Sequence, residues 1–366
     1  GHKRSAFCAV MRMVGVGSGE LMIHWIEQGN EVLLVAHIEN YRPELEACGI
    51  KVENVEIERR GENPINDIIL TFQYNKIIRQ FKPDVVFTNN IKPNIYAGMV
   101  CRLHRVKYIP NITGLGTAIE NTGMLSKLTV GMYKMGVRGA DSILFQNTDN
   151  MKFFSDRKMI PKKTESVLLP GSGVNLASHP LLEYPSEEDG IHFLFVARIL
   201  KEKGIDQVLY VAKKIRSERS DVFFHVVGEC DSPKYMEILS NMHDDGIIIY
   251  HGLQKKVTPF LEMASCLIHP SYYPEGISNV LLEAAASGRP VITTERSGCR
   301  ETLDDGVTGY VVPIKDNEAT LSAVRKILGL SRDERMKMGL AGRKKMEAQF
   351  DRNIVIEKYD KELSNI

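Results

Sequence analysis

The chain has 366 residues, 43% of them hydrophobic and 25% charged, with a formal net charge of +1. That length accommodates two ordinary domain cores, and the near-zero charge excludes the globally basic surface that gathers nucleic acid. Six cysteines (Cys8, Cys48, Cys101, Cys230, Cys266 and Cys299) lie far apart with no C-x-x-C pair, which argues against a zinc knuckle or disulfide framework and for thiols in a reducing, cytoplasmic compartment.

From the N-terminus, short apolar β-rich runs alternate with amphipathic stretches, the pattern of βα units with parallel sheets. The runs 6–10, 32–36, 51–55, 85–88, 107–110, 142–146 and 166–169 predict strands. The first is too short for a signal peptide, and no run approaches the roughly 18–20 apolar residues of a membrane span. A Gly-rich stretch, Gly15-Val16-Gly17-Ser18-Gly19, predicts a turn before a helix over 21–28. A second helix is predicted over 64–81, where Ile65, Ile68, Ile69, Phe72 and the Ile77/Ile78 pair keep helical spacing and Pro83 supplies the stop. The basic and apolar stretch 124–138 has the spacing of a core helix, and also the composition of one resting on an anionic membrane leaflet.

Composition shifts over 171–190, rich in Gly, Ser, Pro and acids, which reads as a linker. The alternation then restarts, with strands predicted at 192–197, 222–227, 247–250, 266–269, 290–293 and 309–312 and a strong helix around 334–349.

The most specific segment is Pro274-Glu275-Gly276-Ile277-Ser278-Asn279-Val280-Leu281-Leu282-Glu283. Glu275 sits in a turn and Glu283 follows eight residues on, about two helical turns later. Gly276 permits close backbone approach, and the N–H groups opening the helix at Ile277 to Val280 make an anion site. Carboxylates beside an anion site suit a nucleotide sugar, whose hydroxyls they accept from while its diphosphate lies on the amides. In isolation the spacing also describes two solvated carboxylates. Arg198 and Lys203, in the loop after the first strand of the second half, emerge at the same rim and can neutralise a diphosphate. Val227-Gly228-Glu229, His251-Gly252-Leu253 and Glu295-Arg296-Ser297-Gly298-Cys299-Arg300-Glu301 turn at that rim too.

The order of these motifs, with Ala197-Arg198 and Lys203-Gly204 preceding the Pro274–Glu283 segment, resembles retaining family 4 glycosyltransferases. In the first half, Ile91-Lys92-Pro93-Asn94-Ile95-Tyr96, Asn111-Ile112-Thr113-Gly114-Leu115-Gly116-Thr117 and Leu169-Pro170-Gly171-Ser172-Gly173-Val174 are similar to a bacterial branch that elongates lipid-diphosphate-linked sugars. The resemblance implies the α/β GT-B fold, two Rossmann-like domains with parallel sheets facing across a cleft. Their expected extents are 1–172 for the acceptor side, 173–190 for the linker and 191–351 for the nucleotide-sugar side, with a helix over about 352–366 packing back on the first domain.

It further implies that Arg198 and Lys203 bind the donor diphosphate, Glu283 the ribose and Glu275 the transferred hexose. Gly17, Gly19, Gly228, Gly276, Ile277 and Ser278 line the donor, while Lys92, Asn94, Thr113, Gly114, Gly116 and Thr117 lie on the acceptor side. The expected substrates are a UDP-sugar and a polyprenyl-diphosphate-linked sugar, with no cofactor or metal, no nucleic-acid partner, and peripheral contact with the cytoplasmic face of an anionic inner membrane. One departure stands out. Many family members carry a His near the acceptor where this chain has Asn111, Thr113 and Gly114, so no role for such a His transfers. A non-catalytic nucleotide-sugar-binding protein and a GT-B sugar-nucleotide epimerase are the alternatives on the same fold.

Overall fold

The computed structural model describes residues 4–9, 16–38, 42–55, 64–115 and 124–365. Contacts divide the chain into two compact units, one of Gly1–Ser172, Pro274–Gly276 and Arg352–Ile366, the other of Gly173–Tyr273 and Ile277–Asp351.

The first unit alternates β1 (Arg4–Ala9), α1 (Val16–Glu27), β2 (Glu31–Ala36), α2 (Arg42–Ala47), β3 (Lys51–Asn54), α3 (Pro64–Phe81), β4 (Val85–Asn89), α4 (Ile91–His104), β5 (Lys107–Ile112), α5 (Met124–Val137), β6 (Ser142–Phe145), α6 (Thr148–Asp156) and β7 (Glu165–Leu168). Its strands form one parallel sheet in the order β3-β2-β1-β4-β5-β6-β7. Both faces are covered, so the central strands are apolar runs: all five residues of β4 are buried. Alternation along β2 serves the two faces, Leu33 and Val35 packing with α3 and α4 and Val32 and Leu34 with α1. Gly17 and Gly19 lie inside the first turns of α1 rather than in a preceding turn, a correction to the sequence expectation. Gly15 lies outside the described residues, as do Gly116 and Thr117. The helix expected over 64–81 is α3, which buries Leu70, Tyr74 and Ile78 while Ile65, Ile68, Ile69 and Phe72 are exposed.

The second unit repeats the plan with β8 (Ile191–Val196), α7 (Ile205–Glu218), β9 (Val222–Val227), α8 (Pro233–Asp244), β10 (Ile249–Tyr250), α9 (Thr258–Met263), β11 (Cys266–His269), α10 (Asn279–Ala286), β12 (Val291–Thr294), β13 (Gly309–Val312), α11 (Asn317–Gly329) and α12 (Arg332–Lys345). Its parallel sheet runs β10-β9-β8-β11-β12-β13. Strand order reverses between β8 and β11, and the crevice beyond their carboxyl ends is where such sheets bind ligands.

Residues 173–190 have a linker's composition yet belong to this unit. Three arginines pin the stretch: buried Arg289 donates to Glu183 O at 2.7 Å, half-buried Arg332 to Tyr184 O at 2.7 Å, and buried Arg335 pairs with Glu187. Tyr184 itself is buried and donates to Ser265 O at 2.7 Å.

After a π-helical turn (Met346–Phe350) the chain returns to the first unit as α13 (Arg352–Ser364). Val355, Tyr359 and Leu363 enter the core beside Trp25 and Phe87. Tyr359 lies 5.5 Å from Phe87 and 6.1 Å from Trp25, ring centre to ring centre, while Asp360 accepts from the Trp25 indole at 2.9 Å. Among the described residues no helix is long and apolar enough to cross a membrane.

Three imidazoles form a chain across the second sheet. His192 Nδ1 lies 2.9 Å from His225 Nε2, and His225 Nδ1 lies 3.0 Å from His251 Nε2. Burial, then the two neighbouring rings, pushes His225 down to about 4, and burial lowers His192 and His251 as well. A histidine with a depressed folded-state pKa binds its proton more readily when unfolded, so stability is lost as pH falls from about 6.5 toward 4. The expected result is that acidification from pH 7.5 to 5 removes on the order of 2 kcal/mol through His225. Thermal melts of His225→Phe check this: the variant should lose less stability over the same pH interval, and an unchanged pH dependence would remove His225 as its source.

Candidate active site

In the second unit, the loop after β8 carries both expected diphosphate ligands. Arg198 is exposed and follows Ala197, whose N–H donates to Val227 O at 3.1 Å; Ile199 N donates to Glu229 O at 2.8 Å. These bonds strap the loop to the end of β9. Gly228 is required there because a Cβ would overlap the carbonyl oxygen of Ala197 and come within 2.7 Å of its carbon. The glycine thus serves the site through the backbone that presents Arg198.

A single 3-10 turn (Lys201–Lys203) follows, ending at Gly204 in the left-handed region with φ 84°. A side chain at Gly204 would run into the Pro270 carbonyl. Tyr272 N donates to Glu202 O at 2.8 Å, so the turn is docked on the segment that leaves β11. Lys203 Nζ stands 4.7 Å above the Tyr273 ring, a cation–π contact that orients the ammonium. The β8 and β11 ends, flanking the point where strand order reverses, are therefore joined through Lys203 and its turn.

On the far side of that segment, α10 carries Glu283, half-buried, with Ser278 as its N-cap residue. Ile277 is buried among Leu282, Ala285, Met346 and Phe350, so its side chain belongs to the core. Ser278 N donates to Gly298 O at 2.8 Å and its hydroxyl lies 3.2 Å from His269 Nε2. The expectation of an unoccupied Ser278 amide is corrected: the loop 295–301 takes it. That loop is itself held by Glu301, which accepts from Gly298 N at 2.7 Å and Ser297 Oγ at 3.0 Å. Within this unit the donor-type side chains His269 and Cys299 are both buried, and the Cys299 thiol lies 4.0 Å from Ser271 O.

Pro274–Gly276 packs with the first unit. Asn147, buried at the N-terminus of α6, accepts from Asn150 N at 2.8 Å and donates through Nδ2 to Gly276 O at 2.8 Å and Glu275 O at 3.3 Å. One side chain both caps a helix and tethers the turn that carries Glu275. Gly276 fits because a Cβ would strike the Gln146 amide and come within 2.7 Å of Thr113 O. Gly114 lies against the same turn, its would-be Cβ 3.0 Å from Pro274 O and 3.4 Å from Glu275 Cα. Thr113 donates its hydroxyl to Asn90 Oδ1 at 3.0 Å.

The structure thus gathers Glu275 and Gly276 with Thr113 and Gly114, and adds Gln146 and Asn147, which sequence reasoning passed over. Their signal was two amides directly after a fully buried strand, at the rim where such sheets bind ligands. Two expected acceptor residues have other employment. Asn94 is fully buried, accepting from Thr88 Oγ1 at 2.6 Å and donating to Asn111 O at 2.9 Å. Lys92 pairs with Asp67 at 2.7 Å, linking α4 to α3.

Asn147→Ala removes the cap and leaves two carbonyls without their donor. It should destabilise the protein by about 1–3 kcal/mol and lower turnover. Asn147→Asp retains the cap but not the donor, so it should be the more stable of the two variants and equally slow. Equal turnover in Asn147→Asp and wild type would separate the tether from function.

Two family models match the chain: "Glycosyl transferases group 1" over residues 183–345 and "Glycosyl transferase 4-like" over residues 20–147. The chain is 24% identical over 350 residues to the N,N'-diacetylbacillosaminyl-diphospho-undecaprenol alpha-1,3-N-acetylgalactosaminyltransferase of Campylobacter jejuni, covering 91% of this chain and 90% of that one. It is 28% identical over 171 residues to a capsular polysaccharide biosynthesis glycosyltransferase of Staphylococcus aureus, covering 45% of this chain and 44% of that one. Among solved structures it is similar to Anabaena Alr3699/HepE in complex with UDP-glucose, with TM-score 0.78, 13% identity and full coverage of both chains.

Proposed function

We propose, from the premise that this chain is a glycosyltransferase of the group 1 and 4-like type with the GT-B fold, that it moves a hexose or N-acetylhexosamine from a UDP-sugar to a sugar borne on polyprenyl diphosphate, retaining anomeric configuration. The product is a building block of a bacterial surface polysaccharide or protein glycan, made at the cytoplasmic membrane face. The observation that carries this reading is the pair of cations after β8, held in place by Gly228 and Gly204 at the strand-order reversal. The HepE complex with UDP-glucose supports the donor class, and the Campylobacter relative's name supports the acceptor class.

Breaking the anomeric C–O bond builds positive charge on the sugar and negative charge on the departing diphosphate. Arg198 and Lys203 oppose the second charge, and they do so more strongly in a closed, dry site than in water. Glu283 accepts from the ribose hydroxyls, and Glu275 lies against the transferred hexose. The acceptor hydroxyl attacks the anomeric carbon from the face the diphosphate leaves. Its proton passes to the departing phosphate oxygen as the new C–O bond forms, so the step needs no separate base. The charge balance is met by the two cations and calls for no metal.

Thermal-shift screening against a panel of nucleotide sugars, followed by assay of UDP release, tests the donor. One UDP-sugar should stabilise the protein by about 2.7 kcal/mol at a hundredfold excess over Kd and undergo slow hydrolysis. Stabilisation by another nucleotide class alone would overturn the donor assignment. NMR of the first-formed anomer tests retention.

A further inference from the structure

A single residue, Asn90, makes the turn from β4 into α4, because β4 ends at Asn89 and α4 begins at Ile91. Asn90 has φ 71° with ψ 167°, a region open to glycine and strained for any residue with a Cβ. Arg105, at the other end of α4, has φ 56° and ψ 33°, the ordinary left-handed conformation of a helix end. Glycine would make the Asn90 turn without strain, so the backbone gives no reason for an asparagine here. The usual reason for asparagine before a helix is to cap it, and Asn90 makes no side-chain cap bond. Its amide reaches instead to the neighbouring strand end, where Oδ1 accepts from the Thr113 hydroxyl at 3.0 Å.

The two strand ends are held at a fixed spacing by a buried amide layer. Asn89 and Asn111 stand opposite each other in the β4–β5 register, and Asn111 Nδ2 donates to Asn89 Oδ1 at 2.8 Å and to Tyr359 Oη at 2.9 Å. Asn90 and Thr113 are half-buried at the rim, and Thr113 with Gly114 packs against the turn that carries Glu275. A hydroxyl has one proton to give and two lone pairs with which to accept. With its proton committed to Asn90, Thr113 Oγ1 can engage a further group only if that group is a donor.

We infer that Asn90 is a positioning residue for the acceptor, holding the Thr113 hydroxyl so that its lone pairs meet a polar hydrogen of the acceptor sugar, a hydroxyl or an acetamido N–H. The strain at Asn90 persists because it delivers the amide to Thr113. A glycine there would relax the turn and leave the Thr113 hydroxyl free to rotate. The inference rests on the lipid-linked-acceptor reading and adds a residue to it.

The test is steady-state kinetics with a panel of hexosyl- and N-acetylhexosaminyl-diphospho-undecaprenols, among them the diacetylbacillosaminyl compound in the Campylobacter relative's name. Thermal melts of the same proteins accompany it. Asn90→Gly and Asn90→Ala lose the same amide and differ in backbone strain. Both should raise KM for the acceptor about fivefold to tenfold, the loss of one hydrogen bond, while KM for the UDP-sugar changes less than about twofold. Melting should separate them, Asn90→Ala falling at least about 2 °C below Asn90→Gly. Asn90→Gly added to Thr113→Val should raise acceptor KM no further, because both remove one contact. A wild-type acceptor KM in Asn90→Gly overturns the inference. So does an acceptor KM that follows the melting temperature, which would make Asn90 a structural residue. Hydrolysis of a UDP-sugar by wild type with no transfer to any lipid-linked sugar would instead overturn the acceptor reading, and this role with it.

Discussion

Arg198→Ala should lower turnover about a hundredfold to a thousandfold, the usual loss when one group opposing transition-state charge is removed. Stability should change by no more than about 0.5 kcal/mol, because the side chain is exposed and the backbone bonds that set the loop belong to Ala197 and Ile199. Arg198→Lys should recover part of the rate, since charge survives while the forked geometry is lost. Steady-state UDP release measures all three proteins. Near wild-type kcat in Arg198→Ala would take Arg198 out of the leaving-group site and leave Lys203 to carry the diphosphate.

Gly228→Ala should act through the backbone instead. The new methyl group has no room beside the Ala197 carbonyl, so the peptide joining Ala197 to Arg198 must move. An overpacking cost of about 1–3 kcal/mol is expected, with turnover falling by about tenfold or more as Arg198 is misplaced. Calorimetry and kinetics on one preparation distinguish the two variants: Arg198→Ala is slow and stable, Gly228→Ala slow and unstable. A Gly228→Ala protein as stable as wild type would mean that the strap between β8 and β9 gives way easily.

Much of the fold was readable because parallel sheets covered on both faces leave continuous apolar runs. The segment 32–36 lies within β2, 85–88 within β4, and 222–227 and 266–269 coincide with β9 and β11. The bounds of α3 were set by Pro64 at its first turn and by Pro83 beyond its end. Its facing was not legible, because helical spacing shows that a stripe exists but not which side meets the core. The weak second-unit strand near 249 is two residues long, too short for pattern to delimit.

The candidate site divides in the same way. Arg198, Lys203 and Gly228 could be placed because a loop after a parallel strand must emerge at the carboxyl rim. Asn94 and Lys92 have protein partners that could not be foreseen, because a polar residue in a motif looks the same in sequence whether it serves a ligand or a network within the protein. The tether by Asn147 joins residues more than a hundred positions apart, and no local pattern announces it.

The placement of α13 bears on the order in which the protein is built. The aromatic seat formed by Trp25 and Phe87 stays open until Tyr359 arrives, and α13 is made only after the whole second unit has been translated. The unit that is begun before the second is therefore completed after it. Until then its unfinished face is an apolar hazard for a nascent chain, and a stop codon shortly before position 352 would damage the opposite end of the polypeptide more than its own surroundings.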